Sequence, residues 1–317
     1  MNVHSVLAQI AQVTAVLLLS PLLKGFIGRY EERVQRARGS SILQPYKDLW
    51  KLSHKEQVVP HGASWIFVAA PIVAFTAMMI VPLLIPVLTN YPLPLSDMGD
   101  ILGGGLILTL GTFFVNLAAL DTGSAYGGIG ASRTVMISIL AEPTLILVFV
   151  AITLMAKAML PFVVNHLLAA DWSVYFGPTH LFLVVAFFIL LLMETDRLPV
   201  HSDTHIELYM IEEARVLEYG GPLLALLKWA AMMKQYILYV IFVNVLLMPW
   251  GLPDTAHTTV WTLALAALLL TAKQLLVVMA MIFVDTVQAR LRFYRYQEPL
   301  AASFLLAILA IVGSQLR

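Results

Sequence analysis

Long apolar runs, separated by shorter polar segments, make up most of this chain. A run of about 20 apolar residues is long enough to cross a membrane as a helix. The runs are continuous rather than alternating with a period of two, which argues against a β-barrel. We therefore predict an all-α, polytopic membrane protein with a single transmembrane domain over residues 1–317. The eight predicted helices cover roughly residues 3–25, 64–89, 101–120, 135–160, 179–194, 223–250, 259–284 and 299–316.

The basic residues lie in alternate connections between these helices. The first connection carries seven Lys and Arg residues between Arg29 and Lys55, and further bases follow the third, fifth and seventh helices. The even-numbered connections contain acids and almost no bases. Because Lys and Arg accumulate in cytoplasmic loops, the odd-numbered connections are predicted to be cytoplasmic and both termini to lie outside.

Composition agrees with a protein that is largely surrounded by lipid. Of its residues, 60% are hydrophobic and 12% are charged, whereas soluble domains are about 25% charged. The chain has no cysteine, which excludes disulfides, thiolate-bound iron–sulfur clusters and Cys-ligated zinc within it. Its net charge of zero, without a basic tail, argues against a nucleic-acid partner.

The first connection contains a predicted amphipathic helix. Within "RGSSILQPYKDLWKLSHKE", the apolar residues Leu43, Tyr46, Leu49 and Leu52 recur at helical spacing beside charged residues. Such a helix lies at the membrane surface or docks a partner. The alternative interpretation is that the bases only hold this connection in the cytoplasm.

The third connection, "LDTGSAYGGIGASR" from Leu120 to Arg133, is rich in glycine. We predict a loop that approaches another backbone closely, with Asp121 capping a helix or pairing with Arg133. A re-entrant turn without further function is the alternative. The segment lacks the Lys-Ser/Thr that follows the glycines of a nucleotide-binding loop.

Two charged residues fall inside predicted helices. Glu142 lies in the fourth helix and Lys273 near the middle of the seventh. A charge facing lipid costs a few kcal/mol, so both are predicted to face the interior of the bundle, where they are candidates for a proton or ion path. Lys234 is predicted to extend towards the cytoplasm, because the sixth helix is longer than a bilayer requires.

The segment from Glu194 to Glu218 carries seven of the 19 acids of the chain. We predict that it contains a polar helix that starts near Asp203, after the helix break at Pro199, and ends at the Gly-Gly-Pro that begins at Gly220.

Four interpretations of this acidic segment remain. A metal site at His201, His205 and Glu207 is disfavoured, because a helix boundary separates the histidines and no His-Glu-x-x-His motif is present. The others are a solvated loop, a subunit-docking surface and a proton entrance, in which neighbouring carboxylates raise one another's pKa.

Taken together, four stretches of the chain resemble the complex I subunit 1 superfamily. They are "RGSSILQPYKDLWKLSHKE", "LDTGS" with "GGIGASR", the Glu-Pro at Glu142, and "ETDRLPV" with "THIELYMIEEARVLEYGG". The last stretch is more similar to the branch found with membrane-bound, group 4 nickel–iron hydrogenases and formate hydrogenlyase than to the quinone-reducing branch. The chain departs from that branch at Ser40, Tyr209 and Glu212, where Pro, Thr and His are usual.

This resemblance implies a non-catalytic membrane subunit of an oxidoreductase complex in the prokaryotic cytoplasmic membrane. Such a subunit anchors hydrogenase-like large and small subunits and a ferredoxin-like subunit, next to antiporter-like membrane subunits. The nickel–iron centre and the iron–sulfur clusters are then expected in those partners, with none in this chain. The alternatives are a quinone-binding subunit of a respiratory NADH dehydrogenase-type complex and a stand-alone transporter, which the absence of repeat symmetry disfavours.

The resemblance also assigns roles to two groups of residues. Those expected to couple redox chemistry to proton or sodium translocation, with Lys273 added from its position, are Glu142, Glu194, Asp196, Arg197, Glu207, Glu212, Glu213, Glu218 and Lys273. Those expected to dock the peripheral arm are Arg36, Arg38, Tyr46, Asp48, Lys51, Asp121 and Arg133.

Overall fold

A computed structural model of the chain describes residues 3–34, 39–91, 93–170, 175–195, 213–253, 260–287 and 297–315. All regular elements in these ranges are helical, which confirms the predicted all-α class. The α-helices are α1 (Val3–Val34), α2 (Gln44–Ser53), α3 (Trp65–Leu84), α4 (Ile101–Asp121), α5 (Ala125–Ala156), α6 (Pro161–Ala170), α7 (Pro178–Glu194), α8 (Gly221–Ile241), α9 (Val260–Val287) and α10 (Gln297–Gln315). A 3₁₀-helix covers Ser96–Met98, and a π-helix over Phe242–Leu247 continues α8.

Within the described ranges, seven helices are long and apolar enough to cross a membrane. They are α1, α3, α4, α5, α8 with its π-helical continuation, α9 and α10. The fifth predicted span forms as α7 but has only 17 residues. At 1.5 Å per residue it is about 25 Å long, somewhat shorter than a bilayer core of about 30 Å.

Three boundaries differ from the prediction. Helix α1 continues nine residues beyond the predicted end at residue 25, to Val34. Helix α5 starts at Ala125, so most of the glycine-rich segment is helical and the predicted loop is wrong. The additional helix α6 was not predicted, although its sequence, "PFVVNHLLAA", is an apolar run that begins with proline.

Helix α8 is the centre of the bundle. In its most apolar stretch 72% of the residues are buried, against 22–44% for the other six spans. Around it, α3 packs along α4, and α10 packs along α7 and α5. Small residues allow these close contacts: a Cβ atom on Gly111 of α4 would lie 3.3 Å from the Cα of Ala74 on α3.

The helix ends form two faces of different character. One face, called here the basic end, carries α2, the start of α3 and the 213–220 segment, with bases that include Lys51, Lys55 and Lys228. The opposite face, the far end, carries residues 85–100, 157–177 and 248–253.

Buried amides organise the backbone of the far end where α3 stops. The Gln12 side chain donates to the carbonyl of Ile85 (2.8 Å) and accepts from the N–H groups of Val87 and Leu88 (both 3.3 Å). Asn244, in the π-helix, donates to the carbonyls of Pro86 and Val87 (both 3.1 Å). Such partners replace the intrahelical hydrogen bonds that irregular backbone lacks at membrane depth.

Candidate functional site

A cavity of about 530 Å³ opens at the basic end. It lies between α1, α2, α3, α4 and α8, and the described end of the acidic segment forms part of its wall. Apolar side chains such as Met78, Leu108 and Val115 line its interior. Eight charged residues also line it: the bases are Lys24, Lys51, Arg215, Lys228 and Lys234, and the acids are Asp48, Glu194 and Glu213.

A buried ion pair lies against this cavity. The Lys234 ammonium on α8 is 2.7 Å from the Glu194 carboxylate, the last residue of α7, and donates to the Thr112 hydroxyl of α4 at 3.0 Å. The Lys234 and Glu194 side chains are 21% and 11% exposed, respectively. A charge buried this far needs a partner, since desolvation of an isolated ion costs several kcal/mol. The pair therefore ties the end of α7 to the middle of α8.

Glu142 completes a charged cluster, defined here as Glu142, Glu194 and Lys234. Its carboxylate is half-buried on α5, hydrogen-bonds the Ser138 side chain, and lies within electrostatic range of both Glu194 and Lys234. Three ionisable groups thus meet inside the bundle, two acids and one base. Such a cluster can hold one extra proton without placing an unpaired charge in an apolar environment.

The structure corrects the prediction for Lys234. The sequence predicted that it would extend towards water, whereas it pairs inside the bundle with Glu194 and Thr112. Sequence reasoning therefore missed a member of the cluster, although its position 13 residues into α8 was a usable signal.

The mouth of the cavity carries a weaker ion pair. Lys228 and Glu213 are 3.8 Å apart, with side chains 43% and 39% exposed. Exposed pairs of this kind contribute little to stability. Glu218 is exposed as well, so both acids are accessible to solvent or to a partner.

Helix α2 confirms the predicted amphipathic helix, and it lies against α1 and α8. Leu49 is buried, whereas Asp48, Trp50 and Lys51 are exposed. The Tyr46 hydroxyl donates to the carbonyl of Leu18, and burial raises the pKa of this phenol.

The two remaining docking candidates in the described ranges lie near the start of α5. Asp121 accepts a hydrogen bond from the Ser64 backbone N–H (2.7 Å) and so acts at the start of α3. Arg133 is half-buried on the early turns of α5.

The glycines of α5 make the predicted close approach, but from a helix rather than a loop. A Cβ atom on Gly130 would lie 2.8 Å from the backbone nitrogen of Arg215 and 2.9 Å from the Cβ of Ala214. The acidic segment therefore packs directly on the α5 backbone. Ala214 is buried, as predicted, but Leu217, predicted for the same face, is 52% exposed.

Tyr219 is a second residue that the sequence did not single out. Its ring stacks on Phe67 with centroids 4.0 Å apart, and its hydroxyl donates to the Phe67 carbonyl at 2.8 Å. Burial, and secondarily the nearby Asp121 carboxylate, raises the pKa of this phenol. Tyr219 thus fastens the end of the acidic segment to α3.

Lys273 lies apart from the charged cluster. Its ammonium donates to the carbonyl of Met248 (2.9 Å) and to that of Trp250, both beyond the π-helix at the far end. Met248 follows Lys234 by 14 residues, which corresponds to roughly 20 Å along a helix. The structure thus brings Glu142 to Glu194 and Lys234, but not to Lys273.

Several predicted site residues lie outside the described ranges. These are Arg36, Arg38, Asp196, Arg197, Glu207 and Glu212, together with the disfavoured metal ligands His201 and His205. In the part of the chain that is described, no three His, Asp or Glu side chains are arranged to hold a metal ion.

Comparisons with known proteins identify relatives along almost the whole chain. The family described as NADH dehydrogenase matches residues 3–313. Hydrogenase-4 component C of Escherichia coli K12 is 30% identical over 311 residues, 98% of this chain and 96% of that protein. Formate hydrogenlyase subunit 4 of the same strain is 29% identical and covers 98% of both chains.

Relatives from NADH dehydrogenases match a shorter part. A membrane-family relative from the NADH-quinone oxidoreductase of Granulibacter bethesdensis is 29% identical over 199 residues, 59% of this chain and 57% of that one. Among solved structures, a chain of the membrane-bound sulfane sulfur reductase, an archaeal respiratory membrane complex, superposes with a TM-score of 0.79. That chain is 19% identical, and the alignment covers 98% of this chain and 99% of that one, so this likeness concerns the fold.

Proposed function

The chain belongs to the NADH dehydrogenase family, and from this premise we propose that it is the membrane subunit of a complex I-like hydrogenase or formate hydrogenlyase. It anchors a peripheral arm of redox subunits at the basic end. It also couples their electron transfer to the translocation of protons or sodium ions. The chain itself contributes no redox centre, and its place is the prokaryotic cytoplasmic membrane.

The extent of the alignments is the observation that carries this proposal. Both hydrogenase-type relatives align over 98% of the chain, whereas the NADH-quinone oxidoreductase relative aligns over 59% at nearly equal identity. The sequence resemblance of the acidic segment to the hydrogenase branch points the same way. The relatives are subunits of oxidoreductase complexes, which supports the expectation of partner subunits.

The charged cluster supports the coupling role. Glu142, Glu194 and Lys234 lie where the cavity meets the interior of the bundle, and the acidic segment borders the same cavity. Protons can enter through exposed carboxylates at the mouth and exchange with the buried acids. The residues proposed for this path are Glu142, Glu194, Asp196, Arg197, Glu207, Glu212, Glu213 and Glu218, with Lys234 as the counter-charge.

Docking of the peripheral arm uses the surface around the same cavity. Exposed Asp48 and Lys51 on α2 lie at its rim, and Asp121 and Arg133 lie near the start of α5. The nickel–iron centre and the iron–sulfur clusters belong to hydrogenase-like and ferredoxin-like partners, and antiporter-like subunits adjoin the bundle within the membrane.

Purification from native membranes tests the proposal. We expect the tagged chain to copurify with a large subunit that carries two Cys-x-x-Cys pairs for nickel, and the complex to evolve hydrogen. The proposal fails if the copurifying subunit lacks those pairs and turnover depends on added quinone.

The cavity favours a second candidate, a quinone-binding subunit. Its volume of about 530 Å³ and its apolar walls match the usual size and lining of a small-molecule site. Under this alternative, quinone-site inhibitors block turnover and compete with quinone. Inhibitor-insensitive hydrogen evolution argues for the first candidate.

A further inference from the structure

A second, smaller hollow lies on the outer surface of the bundle. It is a groove of about 330 Å³ between α7, the π-helix and α9. Of its eleven lining residues ten are apolar, and the eleventh is Lys273. Phe188, Phe242 and Val277 are among the apolar walls, and the Leu276 side chain on its rim is 61% exposed.

The groove has a polar head and an apolar tail. Its lining on α9 extends from Lys273 to Ala280, seven residues or roughly 10 Å of helix. Lys273 lies at the far-end side, because its ammonium reaches the carbonyls of Met248 and Trp250 beyond the π-helix. Helix α9 then leads towards the basic end, so the apolar part of the groove points into the membrane.

The charge on Lys273 is not neutralised within the described part of the chain. An ammonium group has three N–H donors, and two of them are used by backbone carbonyls. The ion pairs found among the described residues involve Lys228 and Lys234, and none involves Lys273. A positive charge at the edge of an apolar groove is costly without a counter-ion, so the site favours an anion.

We propose that this groove binds an anionic phospholipid, with one acyl chain along α9 and the phosphate at the Lys273 ammonium. The shape selects a linear apolar chain, and the single charge selects a negative head group. The groove faces outward from a membrane-spanning bundle, where lipid is the surrounding solvent. A zwitterionic lipid would fill the same walls but would bring its own positive charge next to the lysine.

Lipid titration of the complex purified with its native subunits tests this proposal. After delipidation in mild detergent, phosphatidylglycerol or phosphatidylcholine is added, and bound lipid is counted by native mass spectrometry. For the wild type we expect preferential retention of one phosphatidylglycerol. Lys273→Gln should reduce that preference about fivefold, whereas Lys273→Arg should keep it.

Variants of the apolar wall give an independent test. Val277→Trp, or Ala280→Phe if the first variant does not assemble, fills the groove and should abolish retention of that lipid. Leu305→Trp is the matched control, because this side chain on α10 is 59% exposed and lies outside the groove.

Three results would overturn the proposal. They are equal retention of both lipids by the wild type, unchanged retention by Lys273→Gln, and unchanged retention by the groove-filling variants. A crosslink from the groove to a helix of a partner subunit in the intact complex would also overturn it, by assigning the groove to a protein interface.

Discussion

Three ionisable residues decide what the inside of this bundle can do. Glu142 and Lys273 were both predicted from their positions in apolar helices, but only Glu142 belongs to the charged cluster. Lys234, which the excess length of its helix placed near solvent in the prediction, is the base of that cluster. Sequence position gives the depth of a charge in the membrane, but not the partner that it meets across the bundle.

The buried ion pair predicts an asymmetric response to substitution. Lys234→Met leaves the Glu194 carboxylate buried without its base and should destabilise the protein by roughly 3 kcal/mol. Adding Glu194→Gln should recover most of that loss, since the double variant buries no charge. Thermal unfolding in detergent measures both effects. Lys228→Met, at a side chain 43% exposed, is the control and should change little; equal losses for the two lysines would contradict the burial argument.

Coupling should depend on the two acids of the cluster more than on exposed acids. Glu142→Gln and Glu194→Gln retain the shape but cannot release a proton, so ion translocation per electron pair should fall at least several-fold while the complex still assembles. Glu56→Gln, on an exposed side chain of the first connection, should leave it unchanged. Proton uptake by inverted vesicles measures this, and unimpaired uptake in both cluster variants would remove them from the path.

Tyr219 predicts a stability loss at alkaline pH. Its phenol is protonated when it donates to Phe67, and burial raises its pKa above the usual value of about 10. The stabilisation is therefore fully present below about pH 10 and is lost as the pH rises through the higher folded-state pKa. Tyr219→Phe should cost about 1 kcal/mol at neutral pH and reduce the alkaline loss. Identical pH profiles for the two proteins would contradict this assignment.

At the scale of the elements, the sequence predicted where helices occur better than where they begin. Periodic apolar runs defined all the spans, and Leu49 identified the buried side of α2. The glycines from Gly123 to Gly130 were assigned to a loop because glycine disfavours helices. In the structure, packing of Gly130 against Ala214 and Arg215 requires the absence of a side chain, and tertiary contact overrides propensity.

That contact predicts opposite effects for two neighbouring glycines. An Ala side chain at Gly128 meets no atom within 4 Å, and removing a helical glycine should stabilise the protein by roughly 0.5–1 kcal/mol. At Gly130 the same methyl group meets the Arg215 backbone at 2.8 Å, and overpacking should cost about 1–3 kcal/mol. Melting temperatures of Gly128→Ala and Gly130→Ala compare the two directly, and changes of the same sign would show that the segment does not rest on α5.

At the scale of the whole molecule, the two ends of the bundle separate two kinds of polar group. The basic end combines exposed charges, a cavity and the charged cluster, whereas the far end uses Gln12, Asn244 and Lys273 to satisfy irregular backbone. The sequence predicted the charge asymmetry, because it is written in single residues. It could not predict the cavity or the backbone contacts of Lys273, since these depend on how α8, α9 and the π-helix meet.

The asymmetry predicts the orientation of the chain in the membrane. The chain has no cysteine, so single introduced cysteines report sidedness without background. Glu56→Cys at the basic end and Met98→Cys at the far end flank the single span α3, and the Met98 side chain is 79% exposed. By the positive-inside rule, a membrane-impermeant maleimide should label Met98→Cys in spheroplasts and Glu56→Cys only in inverted vesicles. The reverse pattern would place the cavity and its docking surface outside the cell, where no cytoplasmic redox arm could reach them, and labelling of both from one side would mean that α3 does not cross the membrane.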